Sequence, residues 1–567
     1  MSFKNPNSRQ ISAEMEADKD EPEVSLAKSR YVCLVILIPL YILLCALLMW
    51  INVRQTGTFV YALDDAYIHM ALAKNLAAHG IFGLTQEGFT ACSSSPLWVF
   101  LISAFYASAG VQTWAPLVLN ILFGLVLAYV ACEILLRSGA SRLTVILTVT
   151  ALYLFVPLPV LPTSGMEHGL HVLLSILLMF WGATLIAEPR TQPWLQFTLT
   201  ITIAAAVLVR FETLFLVAGI VFLLLLRRRL LQTAMVLVAA LAPMAILGLY
   251  SVSKGWFWLP TSLLLKGRMP QISSMKSLAN AVGYTALLQL FTTPHLVAAV
   301  VALVAIYLWR SARGVSVWNR GQVMICITFI TMFLHLQYAL TGGLGRYEGY
   351  LLAMSVVSIG CADLSALFQP IRAKLVNKSN ILEWLPWTIA VILLLFPLLL
   401  HGFQTAVQYY GATRSLFRQQ YQMARFLATY YNDTSLAAND IGAVSFFTGI
   451  RCLDLYGLAN REICRLKRAG KFDTRAIDQL ARAENTKLAI VYDSWFQGKI
   501  YNGFLSPKLP ATWRRVAEWK TQHAVFVADD TVSFYAVDPA EAPHLKQRLI
   551  QFTSYLPNGD TQILLGD

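Results

Sequence analysis

Eleven apolar runs divide the first 403 residues of this chain, at about 31–51, 115–136, 143–162, 168–187, 194–209, 211–226, 231–252, 294–309, 321–341, 347–368 and 383–402. Each approaches the roughly 20 residues that an α-helix needs to cross a bilayer. In hydrocarbon every backbone amide has to be paired inside the protein, so a succession of such runs folds as a bundle of helices. Composition agrees: 57% of residues are hydrophobic and 13% charged, with mean hydropathy +0.58, against roughly 25% charged in a soluble domain. The expected fold class is a polytopic α-helical membrane protein.

The formal net charge of +13 does not point to nucleic acid. Much of the Lys and Arg lies in short connections between apolar runs, where positive-inside bias collects it. Anionic lipid or phosphate is the expected counter-charge. Residues 1–30 are polar and mixed in charge, and no small-residue cleavage site follows the first run, so they read as a disordered cytoplasmic tail rather than a signal peptide.

A further run, 96–109, is about 14 residues long, which suits an interfacial helix better than a span. The basic clusters Arg137/Arg142, Arg227-Arg228-Arg229, Arg310/Arg313/Arg320 and Arg372/Lys374/Lys378 test this. All fall on the cytoplasmic side if 96–109 does not cross, and all flip outward if it does. The first arrangement predicts a transmembrane domain over 31–403, with 52–114 as its first outer loop. Residues 162–168, 253–293 and 342–347 also lie outside, as does a C-terminal domain over 404–567. In that domain, 405–431 has helical spacing, and short apolar runs such as 488–492 and 524–528 read as strands, giving a small α/β unit. Of eight cysteines, most lie in apolar runs. Cys452 and Cys464 are spaced to form a disulfide if that side is oxidising.

Asp64 and Asp65 stand about a dozen residues beyond the first span, in Tyr61-Ala-Leu-Asp-Asp-Ala-Tyr-Ile-His69. Adjacent carboxylates at a membrane surface need water, a partner or a substrate. They open a helical stretch that Gly80 ends, so capping and dipole compensation explain them as well as catalysis does. His69 is the i,i+4 neighbour of Asp65. A Ser run before Pro96 is a helix start, with Trp98 suited to an interface.

Asp-Asp-Ala-Tyr-Ile, a short helix and then Ser-Ser-Pro-Leu-Trp98 resemble the first outer loop of bacterial GT-C glycosyltransferases, in particular the subgroup that includes the actinobacterial arabinofuranosyltransferases. Further matches follow in order. They are Thr163-Ser-Gly-Met-Glu-His168, Val209-Arg-Phe-Glu212, Leu259-Pro-Thr-Ser-Leu-Leu-Leu-Lys266, Gly345-Arg-Tyr347, Asp440-Ile-Gly-Ala443 and Asp454-Leu-Tyr-Gly-Leu458. His168, Phe211 and Thr261 replace the family's Thr, Pro and Asn, so no donor sugar is carried over.

The resemblance implies a GT-C-like fold and a polyprenyl-phosphate-linked sugar as donor, with membrane lipids around it and a glycan, lipid or protein as acceptor. The activity implied is inverting transfer on the outer face of a bacterial inner membrane. The alternative is a lipid-linked sugar flippase or transporter, which would show paired repeats and broken helices. Transfer to a hydroxyl needs a base. Asp64 is expected in that role, with Asp65 orienting the acceptor or holding Asp64. Lys266, Arg346 and Arg268 are candidates to stabilise the leaving phosphate. His69, His168 and Tyr347 complete the expected substrate-binding set. Glu167 either meets sugar hydroxyls or braces its loop. Arg210 and Glu212 read as a structural ion pair, and His295 and His335 as packed histidines. No dedicated metal-ligand cluster stands out. Some superfamily members that transfer larger glycans use a divalent cation, and His69 beside the aspartates leaves that open.

Overall fold

The computed structural model describes residues 7–188, 192–266, 283–362, 381–501 and 503–565. Arg268 and the cluster Arg372/Lys374/Lys378 lie outside the described residues.

Each of the eleven apolar runs overlaps a helix, and residues 363–368 of the run 347–368 lie outside the described residues. In chain order the helices of this part are α1 (Asn7–Thr56), α2 (Asp64–His79), α3 (Pro96–Ala109), α4 (Ala115–Arg137), α5 (Arg142–Phe155), α6 (His168–Ala187), α7 (Pro193–Val209), α8 (Thr213–Leu226), α9 (Leu230–Ser253), α10 (Thr261–Lys266), α11 (Thr285–Thr292), α12 (Pro294–Ala312), α13 (Arg320–Tyr338), α14 (Gly349–Gly360) and α15 (Ile381–Leu416). Among the described residues, seven helices are long and apolar enough to cross a membrane, and α5, α7, α8 and α14 are shorter apolar helices. The chain is a multi-pass membrane protein. The expected span 143–162 ends at Phe155, because Pro157 and Pro159 cannot continue the backbone ladder. At 1.5 Å per residue its 14 helical residues cover about 21 Å, short of the roughly 30 Å of hydrocarbon.

Two expectations are corrected. Residues 7–30, read as a disordered tail, continue α1 without a break. The segment holds four Glu, three Ala and two Lys, and once the membrane helix has formed, propagation into such helix formers costs little. Residues 524–528, read as a strand, are irregular. Phe526 has φ +61°, and the Val525 N–H donates to Ser415 Oγ on α15 at 2.8 Å. Val525 and Phe526 stay largely exposed, so the apolar run meets α15 only at its edge.

α15 does not stop at the membrane surface. A π-turn over Phe417–Tyr421 joins it to α16 (Gln422–Tyr430), so one rod carries the chain from the bundle into the C-terminal unit. There the strands are β1 (Ser435–Ala438), β2 (Arg451–Asp454), β3 (Leu488–Val491), β4 (Lys499–Tyr501), β5 (Phe504–Ser506), β6 (Arg514–Lys520), β7 (Thr531–Ala536) and β8 (Thr561–Leu564). Among the described residues a six-stranded sheet has the order β2-β1-β3-β7-β6-β8, and β4 pairs with β5 apart from it. β1 runs parallel to β2 and β3, and the β3–β7, β7–β6 and β6–β8 pairs are antiparallel. The helices are α17 (Gly442–Phe447), α18 (Arg461–Arg468), α19 (Thr474–Ala483) and α20 (Ala542–Phe552). β1 and β3 are fully buried four-residue strands, which is why they read as plain apolar runs. Cys452 and Cys464 are both free.

α17 packs on α2 and fastens this unit to the bundle. Tyr67 of α2 meets the rings of Phe446 and Phe447, with centroids 6.0 and 5.4 Å away. Lys74 Nζ donates to the Phe446 carbonyl at 2.5 Å, where a cation suits the end of a helix.

Candidate active site

The site lies where α2, the start of α6, α10, the loop 339–348 and the C-terminal unit converge. Leu63 is extended and caps α2, so both aspartates occupy its first turn. Their environments differ. Asp64 is seated on the C-terminal unit: its Oδ2 accepts the Gly442 N–H at 2.7 Å and its Oδ1 the Ala443 N–H at 2.8 Å. Glycine is required at 442, since a Cβ there would lie 2.0 Å from the Asp64 carbonyl oxygen and 2.8 Å from its carboxylate. Burial, and next the Asp440 carboxylate, push Asp64 well above the usual carboxylate range. Asp440 accepts from Gln420 Nε2 at 2.8 Å and from the Tyr492 hydroxyl at 2.7 Å, and burial raises it as well.

Asp65 faces cations. Lys266 Nζ is 3.7 Å from Oδ1 and Arg346 Nη2 is 3.4 Å from Oδ2. Lys266 first, and Arg346 after it, hold this carboxyl well below its usual range, against the opposing effect of burial. Asp65 is 33% exposed and Lys266 43%, whereas Arg346 is 7% exposed. Arg346 Nη2 also donates to the Tyr347 hydroxyl at 3.1 Å. Its Nε and Nη1 are buried and have no hydrogen-bond partner. Buried guanidinium donors left unpaired are costly, and a planar fork of this kind matches a phosphate.

Beneath lies an ion network. Arg210 Nη1 donates to Glu167 Oε1 at 2.7 Å, and its Nη2 pairs closely with Glu212. The expected Arg210–Glu212 pair therefore includes Glu167, which is fully buried and braces the loop 161–168. His69 is buried with Nδ1 3.6 Å from Glu167 Oε2, and burial lowers its pKa, which favours the neutral ring. His168 is buried too, with neither ring nitrogen partnered, edge-on to Tyr347 at 6.4 Å. The Tyr347 ring lies under two cations, Arg346 at 4.9 Å and Arg210 at 5.6 Å. Of the residues read from sequence, Asp64, Asp65, Lys266, Arg346 and Tyr347 face one space, while Glu167, His69 and His168 form its buried floor. The residue without an expected role is Asp440. Its Asp-Ile-Gly-Ala motif resembles a family signature, but nothing local shows that Gly442 and Ala443 seat Asp64.

Both Asp64 oxygens already accept amides, and both Asp65 oxygens face cations.

An apolar groove opens beside the site. It lies between α2, α3, α9 and residues 258–260, with Phe82, Phe89, Phe100, Met244, Leu247 and Trp258 on its walls. Phe211, next to Arg210, and Pro260, just before α10, also line it. The six residues of α10, about 9 Å of helix, lead from Pro260 to Lys266.

Residues 411–535 match a sequence family described as Domain of unknown function (DUF8728). No curated protein matches the sequence. Among solved structures, the chain is similar to ArnT from Cupriavidus metallidurans bound to undecaprenyl phosphate, with 12% identity and a TM-score of 0.51 over 88% of this chain and 98% of that one. It is also similar to the apo state of the same protein, with 11% identity and a TM-score of 0.49 over 88% and 98%. The first of these likenesses shows a shared fold, the GT-C fold.

Proposed function

We propose that this chain is an inverting membrane glycosyltransferase. It would move a sugar from a polyprenyl-phosphate donor to a hydroxyl of a cell-envelope glycan, lipid or protein. The observation that carries this reading is the pair Arg346 and Lys266 around Asp65, with two buried guanidinium donors unpaired, beside an apolar groove. A phosphate attached to an isoprenoid tail matches both halves of that arrangement. The bound undecaprenyl phosphate of the similar ArnT structure supports the same class of ligand.

In this reading the tail lies in the groove and the phosphate meets Lys266 and Arg346, which exchange Asp65 for it. The acceptor oxygen attacks C1 from the face opposite the phosphate. Asp64 takes the acceptor's proton as that C–O bond forms, and the bond from C1 to the phosphate oxygen breaks with its electrons. The configuration at C1 inverts, and the lipid phosphate leaves as an anion paired with Arg346 and Lys266. The raised pKa of Asp64 suits a general base working near neutral pH, and the two amides fix its direction. Asp65 orients the cations before the donor arrives. The orientation that fits is the tail of α1 in the cytoplasm and the C-terminal unit outside the inner membrane of a bacterium.

The test is sugar transfer by purified protein from a panel of polyprenyl-phosphate sugars, with Asp64→Asn and Asp65→Asn beside wild type. Turnover of one donor that Asp64→Asn abolishes in folded protein supports the base. Loss in Asp65→Asn alone would move that role to Asp65. Absence of binding and turnover by folded wild type would sink the enzyme reading and leave transport of the same lipids.

A further inference from the structure

We propose that His295, Glu348 and His401 form a binding site for a divalent metal of the zinc class. They come from three separate parts of the chain: the first turn of α12, the end of the loop 339–348 and the middle of α15. Their ligand atoms all lie within 4.8 Å of one another. His295 Nε2 is 3.6 Å from Glu348 Oε1. The two imidazoles stack with centroids 3.9 Å apart at 22°. Nε2 of each histidine is buried and lacks a hydrogen-bond partner.

Two buried ring nitrogens without partners beside a carboxylate that is 1% exposed are an unfavourable arrangement for the protein alone. A cation resolves it. Zinc sits about 2.0–2.2 Å from His nitrogen and carboxylate oxygen, which places tetrahedral donors about 3.3–3.6 Å apart. The His295–Glu348 distance already matches, and the His401 nitrogen, within 4.8 Å of the other two ligand atoms, joins once its ring turns out of the stack. Two imidazoles with one carboxylate are a zinc donor set with one open position for water. Calcium and magnesium prefer oxygen ligands. The remaining Glu348 oxygen, Oε2, accepts the Gly342 N–H at 2.8 Å, which orients the carboxylate as metal sites usually require.

The bound ion would clasp α12 and α15 to the loop that carries Arg346. That loop already lies close to α15. Gly345 has φ +67°, and a Cβ there would fall 2.8 Å from Thr405 Oγ1 and 3.2 Å from the His401 ring. The proposal stands independently of glycosyl transfer, since its readout is metal.

The experiment uses full-length protein purified in detergent through a tag without histidines, exposed to excess zinc and then desalted. Metal content is measured by plasma mass spectrometry, and the zinc absorption edge gives the ligand set. About one zinc per chain is expected, with two imidazoles and one carboxylate in its shell. His295→Ala and His401→Ala should each reduce retained zinc at least tenfold. Wild type that retains no zinc, or a shell of other composition, would overturn the site. Because the ligand set is read on wild type, the proposal stays testable if a variant fails to fold.

Discussion

Asp64 and Gly442 touch across 378 residues of sequence, the carboxylate Oδ2 accepting the glycine N–H at 2.7 Å. The side chain assigned as base belongs to the bundle, and the amides that aim it belong to the C-terminal unit. Neither half holds the site alone.

Gly442→Ala tests that seat directly. The added Cβ meets Asp64 backbone and carboxylate, so α2 and α17 have to separate. Sugar transfer is expected to fall by tenfold or more, at least about 1.4 kcal/mol of transition-state stabilisation, while circular dichroism and detergent monodispersity stay as in wild type.

Arg346→Lys keeps the charge and removes the planar donors. Charge-assisted hydrogen bonds are worth about 1.5–3 kcal/mol, so affinity for a polyprenyl phosphate should drop roughly 10- to 100-fold in a titration calorimeter. Lys266→Ala should weaken binding less, because Lys266 is 43% exposed and solvent already screens it. Equal affinities for all three proteins would remove the phosphate from this position.

A carboxylate base works ionised. Burial and Asp440 raise Asp64 to about 7, so kcat/KM should rise with pH through the neutral range and then level off. Asp440→Asn removes a neighbouring negative charge and should move that limb to lower pH. A limb that stays in place would separate Asp440 from the base.

Arg210→Ala leaves Glu167 and Glu212 facing each other without their cation. Breaking a buried pair in this way costs about 3–5 kcal/mol. A clear drop in the thermal unfolding midpoint is expected. An unchanged midpoint would mean that the network contributes little to the bundle.

Hydropathy marked a helix in each of the eleven runs, of which seven are long and apolar enough to cross a membrane among the described residues, because burial in lipid or in the bundle imposes a similar requirement on each run. Proline limits were harder to read: Val156-Pro-Leu-Pro159 is as apolar as the helix before it, so the end of α5 was hidden. The acids and cations were legible from the motifs that carry them, Tyr61–His69, Leu259–Lys266 and Gly345–Tyr347, and Asp65, Lys266 and Arg346 do converge. Their partners were not. Glu348 and His401 sit in unremarkable local contexts, Asp440 stands in a motif that shows nothing of its contacts, and the neighbours of all three come from other elements through tertiary packing. Glu167 illustrates the limit from the other side: a polar residue in a distinctive motif turned out to be buried against Arg210.

The long separation between Asp64 and its amides also bears on how the protein is made. At about 5–20 residues per second, the 378 residues between Asp64 and Gly442 take on the order of tens of seconds to synthesise. During that time the bundle is already inserting and lipid can reach the groove. The carboxylate stays unaimed until the last third of the chain has emerged and folded. Under the proposed function, a truncated or stalled product would hold the groove and lack the amides that aim Asp64.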